Sequence, residues 1–290
     1  VPTPISIDSL DDPRVSLYRD VRDRFLRGEH DCFVAESVKV VERLLASRFQ
    51  PASLLLEDGV AVRLAGALDA IDPTVPVYTA APTLLRGIAG YHVHRGALAI
   101  VRRPDRQTLS WHGVVDGLRG SGDESWTLLA ANGVTHMDNI GALFRNGAAL
   151  DVGGILLDDR CCDPLLRKPI RVAMGHSLHL PFGWCDRLST ILPRLRDEHG
   201  AMIVALEGHD HPALATTRVQ PIEELPADPK LVLVVGSEGH GIDGDILAIC
   251  DRVVEIPMRQ GVPSLNLATA AAIALDQRRR CRPLRHSRRG

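Results

Sequence analysis

The chain has 290 residues, 45% hydrophobic and 24% charged, with a formal net charge of −2. That composition excludes wholesale disorder, and no stretch approaches the ~20 apolar residues a membrane helix needs. At roughly 150 residues per domain, two domains are expected.

The first residues, Val1 to Ile5, carry no basic region and no apolar leader, so a cytosolic protein is expected. Residues 12–29 and 35–47 have helical patterning, the second with Val38, Val41, Leu44 and Leu45 at helical spacing. Strands at Ser53–Leu56, Val75–Tyr78 and Ala97–Arg102 alternate with helices at 60–70 and 82–89. Residues 1–103 therefore read as a small α/β domain. Residues 104–125 are polar, Gly-rich and without sustained periodicity, and read as a linker.

The alternation resumes over 126–276. Strands are expected at 126–130, 153–157, 201–206, 231–235 and 253–256, and helices at 138–150, 186–199, 243–250 and 264–279. Apolar strands separated by helices imply a parallel sheet covered on both faces. Ligands of such sheets sit beyond the carboxyl ends of the strands. Residues 277–290 hold seven Arg and no acid, a basic tail on an otherwise acidic chain. Such a tail suits a polyanion, or is simply solvated.

Three βα junctions stand out. In Thr135 to Asn146, Asp138 or Asn139 can cap a helix whose Ile140, Leu143 and Phe144 share one face, with Arg145 outside that set. In Leu231 to Ile242, a buried strand enters the turn Gly236-Ser237-Glu238-Gly239-His240-Gly241. Its glycine order fits neither a dinucleotide fingerprint nor a P-loop, and Glu238 would repel a pyrophosphate. In Val254 to Ala268, a strand ends at Pro257, an irregular loop follows, and Ser264 is placed to cap an Ala-rich helix.

Taken together and in this order, the three segments resemble the motifs of the SpoU-type (TrmH-like) RNA ribose 2′-O-methyltransferases, a branch of the SPOUT superfamily. Asn139, Gly141 and Arg145 match the first motif, Gly236 to Gly241 the second, and Ile256-Pro257-Met258 with Ser264-Leu265-Asn266 the third. The resemblance covers about 126–276. It implies a parallel-sheet methyltransferase domain with a C-terminal trefoil knot, and a homodimer whose sites are completed by the partner chain. The small first domain is similar to the ribosomal-protein-type RNA binders that many members carry.

The resemblance further implies S-adenosyl-L-methionine as cofactor, held by Leu206, Gly236, Ile256, Met258 and Leu265, and rRNA or tRNA as substrate. Arg145, Asn139, Glu238, Ser264 and Asn266 are the implied catalytic set, with no metal. An arginine stays protonated, so Arg145 is better suited to binding phosphate and stabilising a developing alkoxide than to acting as a base. Two departures are present: Asn132 stands where members often have an acid, and Gln260 stands where they usually have glycine, with Gly261 one later. The alternatives are a base-methylating SPOUT enzyme and an inactive RNA-binding protein serving assembly.

Other candidates are weaker. His209 and His211 read as a solvated turn, and His92 and His94 as surface or an RNA contact. The six cysteines form no C-x-x-C pair and read as reduced thiols. Arg160, Arg167, Lys168 and Arg171 read either as charged surface or as a phosphate track.

Overall fold

The computed structural model describes residues 2–281 except 20, 92, 94, 95, 121–123, 216, 262 and 263. The His92/His94 pair and the tail from 282 onward lie outside the described residues. The chain divides into two compact units. One comprises the residues up to Pro104 with Asp163–His179; the other comprises Asp105–Cys162 with the residues from Leu180 onward.

In chain order the first unit holds β1 (Ile5–Ser6), α1 (Asp23–His30), β2 (Cys32–Glu36), α2 (Val38–Leu45) and β3 (Pro51–Glu57). It continues with α3 (Asp58–Arg63), α4 (Ala65–Leu68), β4 (Val77–Ala80), α5 (Pro82–Ala89) and β5 (Ala97–Arg102). Its sheet runs β1-β4-β3-β5-β2, parallel from β1 to β3, with β5 antiparallel to both neighbours. Ile7, Val15, Tyr18, Leu26, Leu55 and Ile100 fill one side of it. The expected helix at 35–47 is really a strand followed by a helix. Ser37, at φ +87°, breaks the two apart.

The second unit contributes α6 (Trp111–Gly120), β6 (Trp126–Ala131), α7 (Met137–Ala149) and β7 (Gly154–Asp158). The chain then lends α8 (Arg167–Val172) to the first unit. It resumes with β8 (Phe182–Cys185), α9 (Leu188–His199), β9 (Met202–Leu206), β10 (Val219–Pro221), β11 (Lys230–Val235), α10 (Gly244–Leu247), β12 (Arg252–Glu255) and α11 (Leu267–Cys281). All seven strands are parallel, in the order β10-β12-β9-β11-β6-β7-β8. Every residue of β6 and β7 is buried, as continuous apolar runs covered on both faces should be.

Three domain boundaries are corrected. The expected linker at 104–125 carries α6, whose Trp111, Val114 and Val115 are buried at i, i+3, i+4 in the core of the second unit. Asp163–His179 joins the first unit through polar anchors. Arg167 donates to Glu36 from Nε at 2.9 Å and Nη2 at 2.6 Å, and its backbone N–H meets Asp23 at 2.9 Å. Arg103 pairs with Asp163, and His179 Nε2 lies 2.6 Å from the Arg43 carbonyl. The supposed tail begins as the last turn of α11: Arg279 and Arg280 pair with Asp276, and Arg278 is 2% exposed.

Charge alone hides the role of Arg278. Its guanidinium donates to Thr127 Oγ1 at 3.2 Å and to the carbonyls of Pro226 (2.9 Å), Asp228 and Pro229 (3.4 Å). It thus ties α11 to β6 and to the turn that leads into β11. Replacing Arg278 by Met strands these acceptors, and is expected to lower the calorimetric melting temperature by roughly 5–10 °C. An unchanged melting temperature would show that the buried guanidinium contributes nothing.

Candidate active site

The carboxyl ends of four adjacent strands stand in one row. The register pairs Ala131 with Val235, Val235 with Leu206, and Leu206 with Val254. Three of the four segments leaving that row, those after β6, β11 and β12, are the ones singled out in the sequence. Leu206 and Ile256 are half-buried at it, while Met258 and Leu265 stand 40% and 36% exposed. Large apolar side chains left open around strand ends are suited to a partly apolar ligand.

Asn139, Glu238 and Asn266 meet from three different segments. Asn139 Nδ2 donates to Glu238 Oε1 at 2.9 Å. Asn266 Nδ2 donates to the same oxygen at 2.8 Å and to Asn139 Oδ1 at 2.9 Å. Asn266 Oδ1 accepts the backbone N–H groups of Ala268 (3.0 Å) and Thr269 (3.3 Å). Those backbone donors fix the Asn266 amide with its nitrogen toward Glu238. The Asn139 amide is then fixed in turn, since its oxygen must face Asn266. Glu238 Oε2 is left on the open side, 3.9 Å from His136 Nε2.

Several expectations are corrected here. α7 starts at Met137 with His136 as N-cap, so Asp138 and Asn139 lie inside its first turn and do not cap it. Asn266, not Ser264, caps α11 through its side chain; Ser264 is exposed ahead of the helix. Arg145 does not join Asn139. Six residues along α7 rotate it by about 240°, and it is exposed, with no hydrogen bond or ion pair among the described residues. Glu238 accepts from the side-chain amides of Asn139 and Asn266.

The turn after β11 is built by close backbone approach. Ser237 and Gly241 exchange backbone hydrogen bonds at 3.1 and 3.0 Å, which folds the turn back on itself. A Cβ on Gly236 would come within 2.1 Å of the Gly241 carbonyl carbon. Gly239 and Gly241 take φ +88° and +68°. Glu207 Oε2 accepts the Ile242 N–H at 2.8 Å, pinning the turn to the end of β9. In the third segment Gly261, at φ +86°, takes the left-handed position, one residue later than the family pattern places its glycine.

Sequence reasoning missed a second polar cluster beside this hub. Asn132, 2% exposed just past β6, donates from Nδ2 to Asp158 Oδ2 (2.8 Å) and Asp243 Oδ2 (3.0 Å). Its Oδ1 accepts the Asp243 N–H at 2.9 Å. Arg160 joins both carboxylates, and Asp158 also accepts the Gly133 N–H at 2.7 Å. Burial pushes the Asp243 carboxyl up, but the hydrogen bonds from Asn132 and Arg160 outweigh it and hold it below the usual range. A cavity of about 280 Å³ opens on this cluster. The signal in sequence was an acid closing a strand beside a ligand turn.

The weaker candidates resolve simply. Arg160 pairs with Asp158 and Asp243 in the second unit, and Arg167 with Glu36 in the first. His209 Nδ1 lies 2.6 Å from Glu255; that hydrogen bond raises the imidazole above its ordinary value. His211 caps a short 3-10 turn. Among the described residues no cluster of three His, Cys, Asp or Glu side chains is arranged for a metal, and all six cysteines are free.

The turn geometry makes a prediction. Gly236→Ala must push the Ser237–Gly241 bridge open, a strain of about 1–3 kcal/mol, so amide exchange at Ser237 and Gly241 should accelerate roughly 10- to 100-fold. Leu231–Val235 should stay protected. Unchanged exchange at both turn amides would show that the close approach is not a constraint.

The comparisons with known proteins agree with this arrangement. The model of the SpoU rRNA methylase family matches residues 127–276. An uncharacterized tRNA/rRNA methyltransferase of Mycobacterium tuberculosis is 34% identical over 274 residues, covering 93% of this chain and 90% of its own. The AdoMet-bound rRNA methyltransferase of Sinorhizobium meliloti has the same fold, with a TM-score of 0.75 at 20% identity, covering 96% of this chain and 98% of its own. The SpoU methyltransferase AviRb of Streptomyces viridochromogenes, solved with AdoMet, gives 0.73 at 19% identity, covering 93% and 98%. The family match spans both ends of the amide–carboxylate hub, from Asn139 to Asn266, and with it the chain belongs to the SpoU rRNA methylase family.

Proposed function

We propose that the protein transfers a methyl group from S-adenosyl-L-methionine to a ribose 2′-OH of rRNA or tRNA. The observation that carries this is the convergence of Asn139, Glu238 and Asn266 on one carboxylate oxygen at the carboxyl edge of a parallel sheet. The residue types fit the cofactor. Leu206, Ile256, Met258 and Leu265 offer apolar walls, and Gly236 offers backbone without a side chain. When bound there, the cofactor supplies an electrophilic sulfonium methyl.

The protein's own groups do the rest. Asn139 and Asn266 hold the Glu238 carboxylate in one orientation, so its free oxygen is fixed on the substrate side. Ser264, exposed ahead of α11, holds the ribose, while Asn266 contributes by holding Asn139 and Glu238. Arg145 remains a cation and neutralises the phosphate and the charge that develops on the 2′-oxygen as its proton passes to solvent water.

Arg145 lies around α7 from Asn139 and has no partner among the described residues. That supports a homodimer in which Arg145 of one protomer completes the site of the other. A C-terminal trefoil knot fits the same reading: β12 lies beyond β9, and α11 then returns to pack on α7. The first unit is the RNA-binding domain, and the free cysteines suit a reducing cytosol. Among the described residues no helix is long and apolar enough to cross a membrane.

The test offers radiolabelled S-adenosyl-L-methionine with total tRNA or undermodified rRNA to the wild type and to Arg145→Ala. Label on ribose, reduced roughly 100- to 1000-fold in the variant with cofactor affinity retained, is expected. Label on a base would make the protein a base-methylating enzyme. RNA binding with neither label nor cofactor binding would make it an assembly protein.

A further inference from the structure

We infer that Asn132 is a positioning residue for cofactor binding, and that it works by bridging Asp158 and Asp243 so as to fix the exit of the Gly236–Ile242 turn. The inference rests on the methyltransferase reading above. The hydrogen bonds of Asn132 go to Val235, Asp158 and Asp243 and not to the residues assigned to the cofactor, so it acts through the turn.

The turn has two ends. Its start is held by β11, which is paired on both sides. Its exit is Asp243, the N-cap of the four-residue α10, which makes no side-chain cap hydrogen bond of its own. What holds Asp243 is Asn132, through its backbone N–H at 2.9 Å and its carboxylate at 3.0 Å, together with Arg160. Asn132 directly follows β6 and is in turn held to β11, since its own N–H donates to the Val235 carbonyl at 2.9 Å. The backbone of Asn132 thus grips the turn's start, and its side chain grips the turn's end. Glu238 and Gly236 lie between.

Only an amide satisfies these contacts. It must donate to two carboxylates and accept a backbone N–H at once. An aspartate at 132 still accepts the Asp243 N–H, but it removes both donations and places a third carboxylate against Asp158 and Asp243, with Arg160 the one cation paired to them among the described residues. Asp159, Asp186, Arg187 and Asp245 line the adjoining cavity. His240 adds positive charge toward Asp243 when protonated. The surroundings are therefore strongly acidic, and the repulsion in the variant is relieved when one carboxyl takes a proton and becomes a donor again.

Affinity for S-adenosyl-L-methionine is measured by calorimetry from pH 5.5 to 8 for wild type, Asn132→Asp and Asn132→Leu, with the melting temperature of each taken alongside. Asn132→Asp is expected to bind about tenfold more weakly than wild type at pH 8, and to recover most of that loss at pH 5.5. Asn132→Leu is expected to lose affinity equally at every pH, because it lacks the group that repels. Comparison with wild type at each pH removes the contribution of His240, which all three proteins share. Wild-type binding with both variants equal to it would overturn the positioning role alone, as would a loss in Asn132→Asp that does not change with pH. No wild-type binding would overturn the methyltransferase reading and this inference with it. If Asn132→Asp does not fold at pH 8, the test passes to Asn132→Leu, where unaltered affinity would overturn the role.

Discussion

One carboxylate oxygen organises the site. Glu238 Oε1 accepts from Asn139 on α7 and from Asn266 at the start of α11, while Glu238 itself sits in the turn after β11. Three segments, the outer two 127 residues apart in sequence, thereby share a single acceptor. Glu238 is 40% exposed on its side chain, so each bond contributes about 1 kcal/mol, below the range for buried charged pairs. Its importance is geometric. The two amides leave the second oxygen open in a fixed direction, and Asn266 cannot rotate without uncapping its helix.

The parallel sheet makes that meeting possible. Adjacent parallel strands deliver their carboxyl ends to one edge, so the loops after β6, β9, β11 and β12 are neighbours by construction. The short polar ties then set the loops in detail: Glu207 to the Ile242 N–H, Asn132 to Asp243, and Asn146 Nδ2 to the Ala268 carbonyl at 2.9 Å. Arg278 secures the far end of α11 to the entry of β11. Nearly every contact is a hydrogen bond to backbone or a carboxylate. Such bonds are directional, and direction is what a site that must align a weak nucleophile requires.

Much of this was legible in the residues. β6 and β11 are continuous apolar runs, and Ile140, Leu143 and Phe144 mark the buried face of α7. Asn139, Glu238 and Asn266 were legible as residue types in three motifs, although their meeting depends on strand order. α6 was hidden because Gly and polar residues surround Trp111, Val114 and Val115. β8 was hidden because Gly183 and the preceding Pro181 break a strand pattern, and β10 has only three residues. Ser264 and Asn266 are both good cap formers, and the path of the loop before α11 decided between them. The Asn132 cluster and the burial of Arg278 depend on which strands and turns lie side by side, which no local spacing encodes. Charge at a chain end gave no sign that Arg278 is 2% exposed.

The central claim is that the three segments act as one unit through Glu238. The direct measurement is a double-mutant cycle on Asn139→Ala and Asn266→Ala, with S-adenosyl-L-methionine affinity and methyl transfer as readouts. The account predicts that the double variant is little worse than the poorer single variant, a coupling of about 1 kcal/mol or more. Losses that simply add would contradict it, because each amide would then act on its own.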